Sequence, residues 1–204
     1  MGNFFSIFGG NGSAAHCPSY VTVYRGCRFQ GETLDLSFGE FKTSYLPPLI
    51  DSLKRGKIVN LNLFNNGIID KVLADLKEAL AQTPSLRILN LNLNDITNQG
   101  ARVLAEILAS NSSLERLLLT KNNIGDEGAK QLAVALRSNQ TLKKLQLTSN
   151  KIGNEGAAAL IQAAKDNPVL QELDLVGNPA GELAKVFRRE QNAVSKRNPL
   201  CRPM

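Results

Sequence analysis

Few side chains in this 204-residue chain have the types and spacing that chemistry requires. The one histidine, His16, stands beside Cys17, with Cys27 further on, a set without a fourth zinc ligand or the tight spacing of a metal loop. Cys17, Cys27 and Cys201 form neither a CxxC pair nor an even disulfide framework, as expected in a reducing compartment. There is no glycine-rich phosphate loop, no serine or cysteine elbow and no histidine–carboxylate set. The repeated GDEG (125–128) and GNEG (153–156) are turn and helix-start residues, where Asp126 and Glu127 suit the positive end of a helix. The expectation is no enzyme, no cofactor and no metal. One short stretch does carry defined chemistry. MGNFFS fits M-G-x-x-x-[ST], in which Gly2 accepts a myristoyl chain and Ser6 occupies the required position. A single such chain holds a membrane only marginally, so Phe4, Phe5, Ile7 and Phe8, or the basic C-terminus against acidic lipid, are the expected second signal.

Charge narrows the partner. Residues 58–181 carry 12 basic and 12 acidic side chains, so the excess of +6 lies wholly at the two ends. A nucleic-acid groove needs a basic surplus along one face to release counterions, and the body of the chain has none. No apolar run approaches the length of a membrane span, and the opening MGNFFSIFGG lacks the charged start of a secretory signal. These features predict a cytoplasmic protein, associated with a membrane where Gly2 carries its lipid.

The elements that would position any site come from a repeat. Leu86, Leu114, Leu142 and Leu170 recur at a spacing of 28, as do Leu89, Leu117, Leu145 and Leu173, and Leu91, Leu119, Leu147 and Leu175. Asn94, Asn122, Asn150 and Asn178 follow in step, then Ile96, Ile124 and Ile152. An earlier copy runs through Ile58, Leu61, Leu63, Asn66 and Ile68, and a fainter one, one residue shorter, begins at Leu34 and Leu36. Within a unit, the LxL alternation predicts a strand with Leu117 and Leu119 on one side and Leu118 on the other. After Ile124 the period becomes helical, through Ala129, Leu132, Ala133 and Leu136.

The pattern LxxLxLxxNxI at 28 residues resembles the leucine-rich repeat in its longer, ribonuclease-inhibitor-like form, over roughly residues 34–181. That resemblance implies an α/β solenoid: a curved right-handed stack of strand–helix units, with a parallel β-sheet on the concave face and helices on the convex face. The expected divisions are a flexible segment 1–18, an N-terminal cap with a degenerate first repeat at 19–57, repeats at 58–181 (four full, one truncated), and a capping helix with a basic tail at 182–204. YVTVYR and a proline stop at Pro47–Pro48 belong to the N-terminal cap. The C-terminal helix, Glu182 to Arg197, would turn Leu183, Val186, Phe187 and Val194 inward. Asp70, Asn98, Asp126 and Asn154 precede each helical pattern as expected N-caps, and Asn111, Asn139 and Asn167 as left-handed helix stops. The column from Asn66 to Asn178 reads as an inward ladder that satisfies turn backbone.

In this repeat family the concave strand face usually carries the partner. The residues left free there predict a protein-binding site at Phe64, Ile88, Leu93, Arg116, Leu118, Thr120, Lys121, Lys144 and Gln146. Phe64, Ile88, Leu93 and Leu118 would form an apolar spot, with Arg116, Lys121, Lys143 and Lys144 as a basic group beside it. The functional expectation is a monomeric, non-enzymatic scaffold or adaptor that binds another protein. Two alternatives rest on architecture alone. One is a cytoskeletal actin-filament binder, since tropomodulins have a similar short arc ending in a terminal helix. The other is a secreted bacterial effector that acts by binding a host protein. A GTPase-activating solenoid is a further relative of this shape, but no catalytic arginine matches residue by residue.

Overall fold

The computed structural model describes residues 28–197 apart from 31, 40 and 56. Gly2, Ser6, His16, Cys17, Cys27, Cys201 and YVTVYR lie outside the described residues. The chain runs β1 (Arg28–Gln30), β2 (Thr33–Asp35), α1 (Leu46–Lys54), β3 (Asn60–Asn62), α2 (Asp70–Gln82), β4 (Ile88–Asn90), α3 (Asn98–Ser110), β5 (Arg116–Leu118), α4 (Asp126–Ser138), β6 (Lys144–Gln146), α5 (Asn154–Asp166), β7 (Glu172–Asp174) and α6 (Gly181–Arg197). The strands form one sheet in sequence order. From β2 onward every pairing is parallel, with Leu34, Leu61, Leu89, Leu117, Leu145 and Leu173 in one register. The chain is thus an α/β leucine-rich-repeat solenoid. Only β1 departs from the parallel order. It pairs antiparallel with β2 because the two-residue connection at 31–32 has no room for a crossover.

Each strand is only three residues long, since one LxL step is all that the repeat supplies before the turn. Leu117 and Leu119 are fully buried and Leu118 is half-exposed, as the two-residue alternation requires. The helices bury the matching stripe: Leu73, Leu76 and Leu80 in α2, Leu104 and Leu108 in α3, Leu132 and Leu136 in α4. Strands in a sheet lie about 4.8 Å apart, whereas packed helices need about 8–10 Å, so stacking such units bends the array with the sheet on its inner side. At the N-terminal end Pro47 and Pro48 occupy the first turn of α1. They open a helix rather than close one, because the first-turn N–H groups that proline lacks have no partner there anyway.

Three rows of polar side chains stitch neighbouring units together. Asn94, Asn122, Asn150 and Asn178 are buried at the strand exits. Asn122 donates to the carbonyls of Leu91 (2.9 Å) and Leu119 (3.1 Å) and accepts from Ile96 N–H at 3.1 Å. Asn150 and Asn178 repeat those bonds one and two units later. The expected ladder is there, and it ties each turn to the one before it. A second ladder lies at the helix ends. Asn111, Asn139 and Asn167 are buried, and Asn139 donates to Leu108 O (2.8 Å) and accepts from Thr141 N–H (3.0 Å) and Leu142 N–H (2.7 Å). Their backbone is extended, φ −73° and ψ 129° at Asn139, so these asparagines are not left-handed stops. What selects asparagine there is its amide, which is both donor and acceptor.

The third row corrects the expected capping. Asp70, Asn98, Asp126 and Asn154 are the first residues of their helices, and Ile69, Thr97, Gly125 and Gly153 are the N-caps. Asn98 Oδ1 accepts from Gly125 N–H (2.7 Å) and Gly128 N–H (3.1 Å), and Asp126 Oδ1 from Gly153 and Gly156 N–H (both 2.8 Å). Asn98 and Asp126 therefore cap the next helix, not their own, while Asp70 accepts from the N–H and the hydroxyl of Thr97, whose own oxygen accepts from Gln99 N–H as the cap of α3.

Left-handed backbone occurs one residue before each ladder asparagine of the sheet: Asn65 (φ 53°), Leu93 (56°), Lys121 (56°), Ser149 (56°) and Gly177 (76°), with Phe38 (58°) in the corresponding place of the first turn. At the far end α6 turns Ala184 and Phe187 inward, while Leu183 and Val186 are exposed. Of the expected inner stripe Phe187 is buried and Leu183 and Val186 are not, and the side chain of Val194 lies outside the described residues. Among the described residues no further unit follows α6 to cover the flank that carries Leu183 and Val186.

Candidate functional site

The concave face presents three columns. The first runs Thr33, Asn60, Ile88, Arg116, Lys144, Glu172, and the second Asp35, Asn62, Asn90, Leu118, Gln146, Asp174. The third, beyond the strand ends, holds Phe64, Asn92, Thr120, Thr148 and Val176.

In the N-terminal half, hydrogen-bonding capacity is spent within the face itself. Asn62 donates to Asp35 Oδ1 (2.9 Å), Asn90 donates to Asn62 Oδ1 (2.9 Å), and Asn60 donates to Thr33 Oγ1 (3.0 Å). The same oxygens of Asn62 and Asn90 also accept from the N–H groups of Phe64 (3.2 Å) and Asn92 (3.1 Å). Asn92 in turn accepts from Thr120 N–H at 2.7 Å. An amide engaged in this way has little left for a partner.

From β5 onward the row breaks. Leu118 interrupts the amide column, and Gln146 follows with no side-chain hydrogen bond among the described residues. Charges beside Arg116 are neutralised by neighbours. Lys144 Nζ lies 2.8 Å from Glu172, and Lys143 Nζ lies 2.9 Å from Glu115, with Arg87 on the other side of that carboxylate at 4.0 Å. Arg116 is exposed and has no such partner among the described residues. The hydroxyl oxygens of Thr120 and Thr148 are covered and likewise unpartnered.

The expected clusters are therefore partly dispersed. Ile88 and Leu118 are diagonal neighbours on adjacent strands beside Arg116, and Gln146 pairs in register with Leu118. Phe64 and Leu93 belong to the rim. There Phe64 meets Phe38, ring centroids 5.0 Å apart, and Phe38 is 74% exposed. Phe38 escaped the sequence reading because the first unit is one residue short, which shifts it out of the 28-residue alignment. Leu93 and Lys121 line a shallow depression of about 440 Å³ with Asp95, Asn123 and Ser149, outside the strand face proper. Of the expected basic group, Arg116 alone remains on the strand face as an unpaired cation.

The convex side offers ion pairs instead. A hydrogen bond from Lys77 holds the Glu106 carboxyl below its ordinary range. Lys130 is bridged by Glu155 (2.8 Å) and Glu127 (3.0 Å), and these bonds raise the pKa of its ammonium group. Among the described residues no group of three His, Cys, Asp or Glu side chains is arranged to hold a metal ion, and no helix is long and apolar enough to cross a membrane.

Residues 83–105, 110–133 and 138–160 each match the leucine-rich-repeat family model. With the register above, they make this chain a leucine-rich-repeat protein, and its 28-residue period is consistent with the ribonuclease-inhibitor-like form. No curated protein sequence matches it. Among solved structures it is similar to leiomodin-1 actin-binding site 2, with a TM-score of 0.56 and 18% identity over 78% of this chain and 95% of that one. It is also similar to the tropomodulin C-terminal domain of Caenorhabditis elegans, with a TM-score of 0.53 and 18% identity over 77% and 99%. At that identity the likeness is one of fold.

Proposed function

We propose that this protein is a non-enzymatic interaction scaffold whose concave face binds another protein around Arg116, Leu118, Ile88 and Gln146. The observation that carries this reading is the contrast along the sheet. From β2 to β4 the polar side chains satisfy one another, whereas at β5 and β6 an exposed guanidinium, an apolar side chain and an unengaged amide lie together. Free hydrogen-bonding and charge capacity beside apolar surface is what an interface centre requires. Partner recovery from cell extract with Arg116→Glu plus Leu118→Glu, against the parent chain, tests the reading. Equal recovery removes this face from the account.

A second reading, an actin-filament binder, is favoured by the likeness to leiomodin-1 actin-binding site 2. Co-sedimentation with filaments, with and without residues 182–204, tests it, and no change in the filament pellet rejects it. Either activity would be exercised in the cytoplasm by a monomer, tethered to a membrane where Gly2 is acylated. Intact mass after eukaryotic expression reports the acyl group directly, and an unshifted mass ends the tether.

A further inference from the structure

We infer that the concave centre recognises a carboxylate: an extended acidic segment of the partner seats an Asp or Glu side chain on Arg116 and an aliphatic side chain, two residues along, on Leu118. This rests on the concave-face reading and specifies its chemistry. Arg116 and Leu118 are i and i+2 on β5, so both side chains leave the same face about 7 Å apart. An extended segment laid along β5 shows its own i and i+2 side chains at that same spacing. Across the sheet, Ile88 lies one strand from Arg116, about 4.8 Å away, and widens the apolar floor.

Charge decides the acidic side chain. The carboxylates of the two outer units lie away from the centre: Asp35 is held by Asn62, Glu172 by Lys144, and Asp174, two strands from Leu118, accepts from Val176 N–H at 3.0 Å. What remains at the centre is one planar fork of donors, which matches a carboxylate in a bidentate pair. A phosphate dianion is a poorer fit. It draws several donors or a basic cluster, and here the neighbouring Lys143 and Lys144 are already paired with Glu115 and Glu172. Gln146, in register beside Leu118, offers a donor and an acceptor to the backbone of the incoming segment.

The test is a titration of the full chain, followed by amide, methyl and arginine Nε–H NMR shifts, with acetyl-Ser-Asp-Ser-Leu-Ser-amide. Three variants of the probe serve as comparisons: Asp replaced by Asn, Asp replaced by phosphoserine, and the order Ser-Asp-Leu-Ser-Ser. Expected are shifts confined to Ile88, Arg116, Leu118 and Gln146, a loss of affinity of about fivefold or more for the Asn probe and for the reordered one, and about tenfold or more for Arg116→Gln. That variant alters an exposed side chain, and its unperturbed spectrum elsewhere establishes that it folds. Equal binding of the Asp and Asn probes, shifts mapping elsewhere, or no shift at about 20 mM probe overturns the inference, since a segment this short is expected near the millimolar range. Tighter binding of the phosphoserine probe reassigns the site to phosphate and overturns the carboxylate. If these probes fail while the double variant still abolishes partner recovery, the face stands and only its chemistry is wrong.

Discussion

Asp126 accepts a hydrogen bond from the backbone N–H of Gly156 at 2.8 Å, although the two residues belong to different repeats. A helix start normally satisfies its free N–H groups with a side chain from its own approach. Here the first residue of α4 does it for α5, and Asn98 of α3 does it for α4. Capping has become a nearest-neighbour interaction, so each repeat stabilises the next through polar bonds as well as through its apolar stripe.

That arrangement requires a glycine at the third position of the receiving helix. A Cβ built on Gly156 falls 2.6 Å from Asp126 Oδ1, 2.8 Å from Asp126 Cα and 2.9 Å from the Cβ of Ala129. Glycine to alanine within a helix ordinarily stabilises by about 0.5–1 kcal/mol. Gly156→Ala reverses the sign, because backbone as well as side chain must give way, and overpacking of this kind costs about 1–3 kcal/mol. A urea midpoint below that of the parent, with a similar m-value, is the expected result.

The partner substitution separates charge from geometry. Asp126→Ala removes the acceptor for two buried-side N–H groups and lowers stability by about 1–2 kcal/mol. Asp126→Asn keeps the acceptor, as Asn98 does one unit earlier, and loses only the carboxylate's favourable term at a helix N-terminus, about 0.3–1 kcal/mol. In the cycle with Gly156→Ala, the Asp126→Ala background absorbs part of the alanine's cost but not all of it, since Asp126 Cα remains 2.8 Å away. Thermal melts of the four chains give the coupling.

How much of this was visible in the sequence follows from how each feature repeats. Leu117 has a counterpart in every unit and Asn122 in every unit after the first, so periodicity alone placed them inside and at the turn. Asp126 repeats just as faithfully, yet its spacing allows a reach into its own helix or the next one, and only the separation of stacked helices decides between them. The pairs Glu115–Lys143 and Lys144–Glu172 lie 28 residues apart and face each other across adjacent strands. A search for opposite charges at the repeat period would have found them, and would have left Arg116 alone. Leu183 and Val186 misled because helical periodicity identifies an apolar stripe but not how much of it a neighbour covers. The left-handed positions were invisible, since only Gly177 and Asn65 in that column are residues that prefer such backbone.

The Lys77–Glu106 pair gives a pH dependence with a definite sign. Because its hydrogen bond to Lys77 lowers the Glu106 pKa in the folded chain, the contribution is full above the unfolded carboxyl value and is lost as pH falls through the folded one. Both side chains are more than a third exposed, at 45% and 39%, so the coupling at neutral pH stays below about 1 kcal/mol. A cycle of Lys77→Met and Glu106→Gln should show that coupling near neutrality and none near pH 2. Coupling that persists in acid would contradict the charge-assisted bond.

Leu93 and Asn94 are adjacent, and substituting them should move stability in opposite directions. Asn94 donates to Leu63 O and Leu91 O (both 3.0 Å) and accepts from Asn66 N–H (3.1 Å) and Ile68 N–H (2.9 Å). Asn94→Ala strands buried donors and acceptors that each cost about 1–3 kcal/mol, so a loss above about 3 kcal/mol is expected. Leu93, at φ 56° and 36% exposed, holds a backbone conformation that costs a bulky residue about 1–2 kcal/mol. Asn tolerates that region, as Asn65 does in the same column, and Leu93→Asn should raise stability by about 0.5–1 kcal/mol. A leucine kept where asparagine is more stable is explained if its exposed side chain serves binding. The stabilised Leu93→Asn chain should then recover less partner than the parent; undiminished recovery would mean that the strain at Leu93 serves no interface.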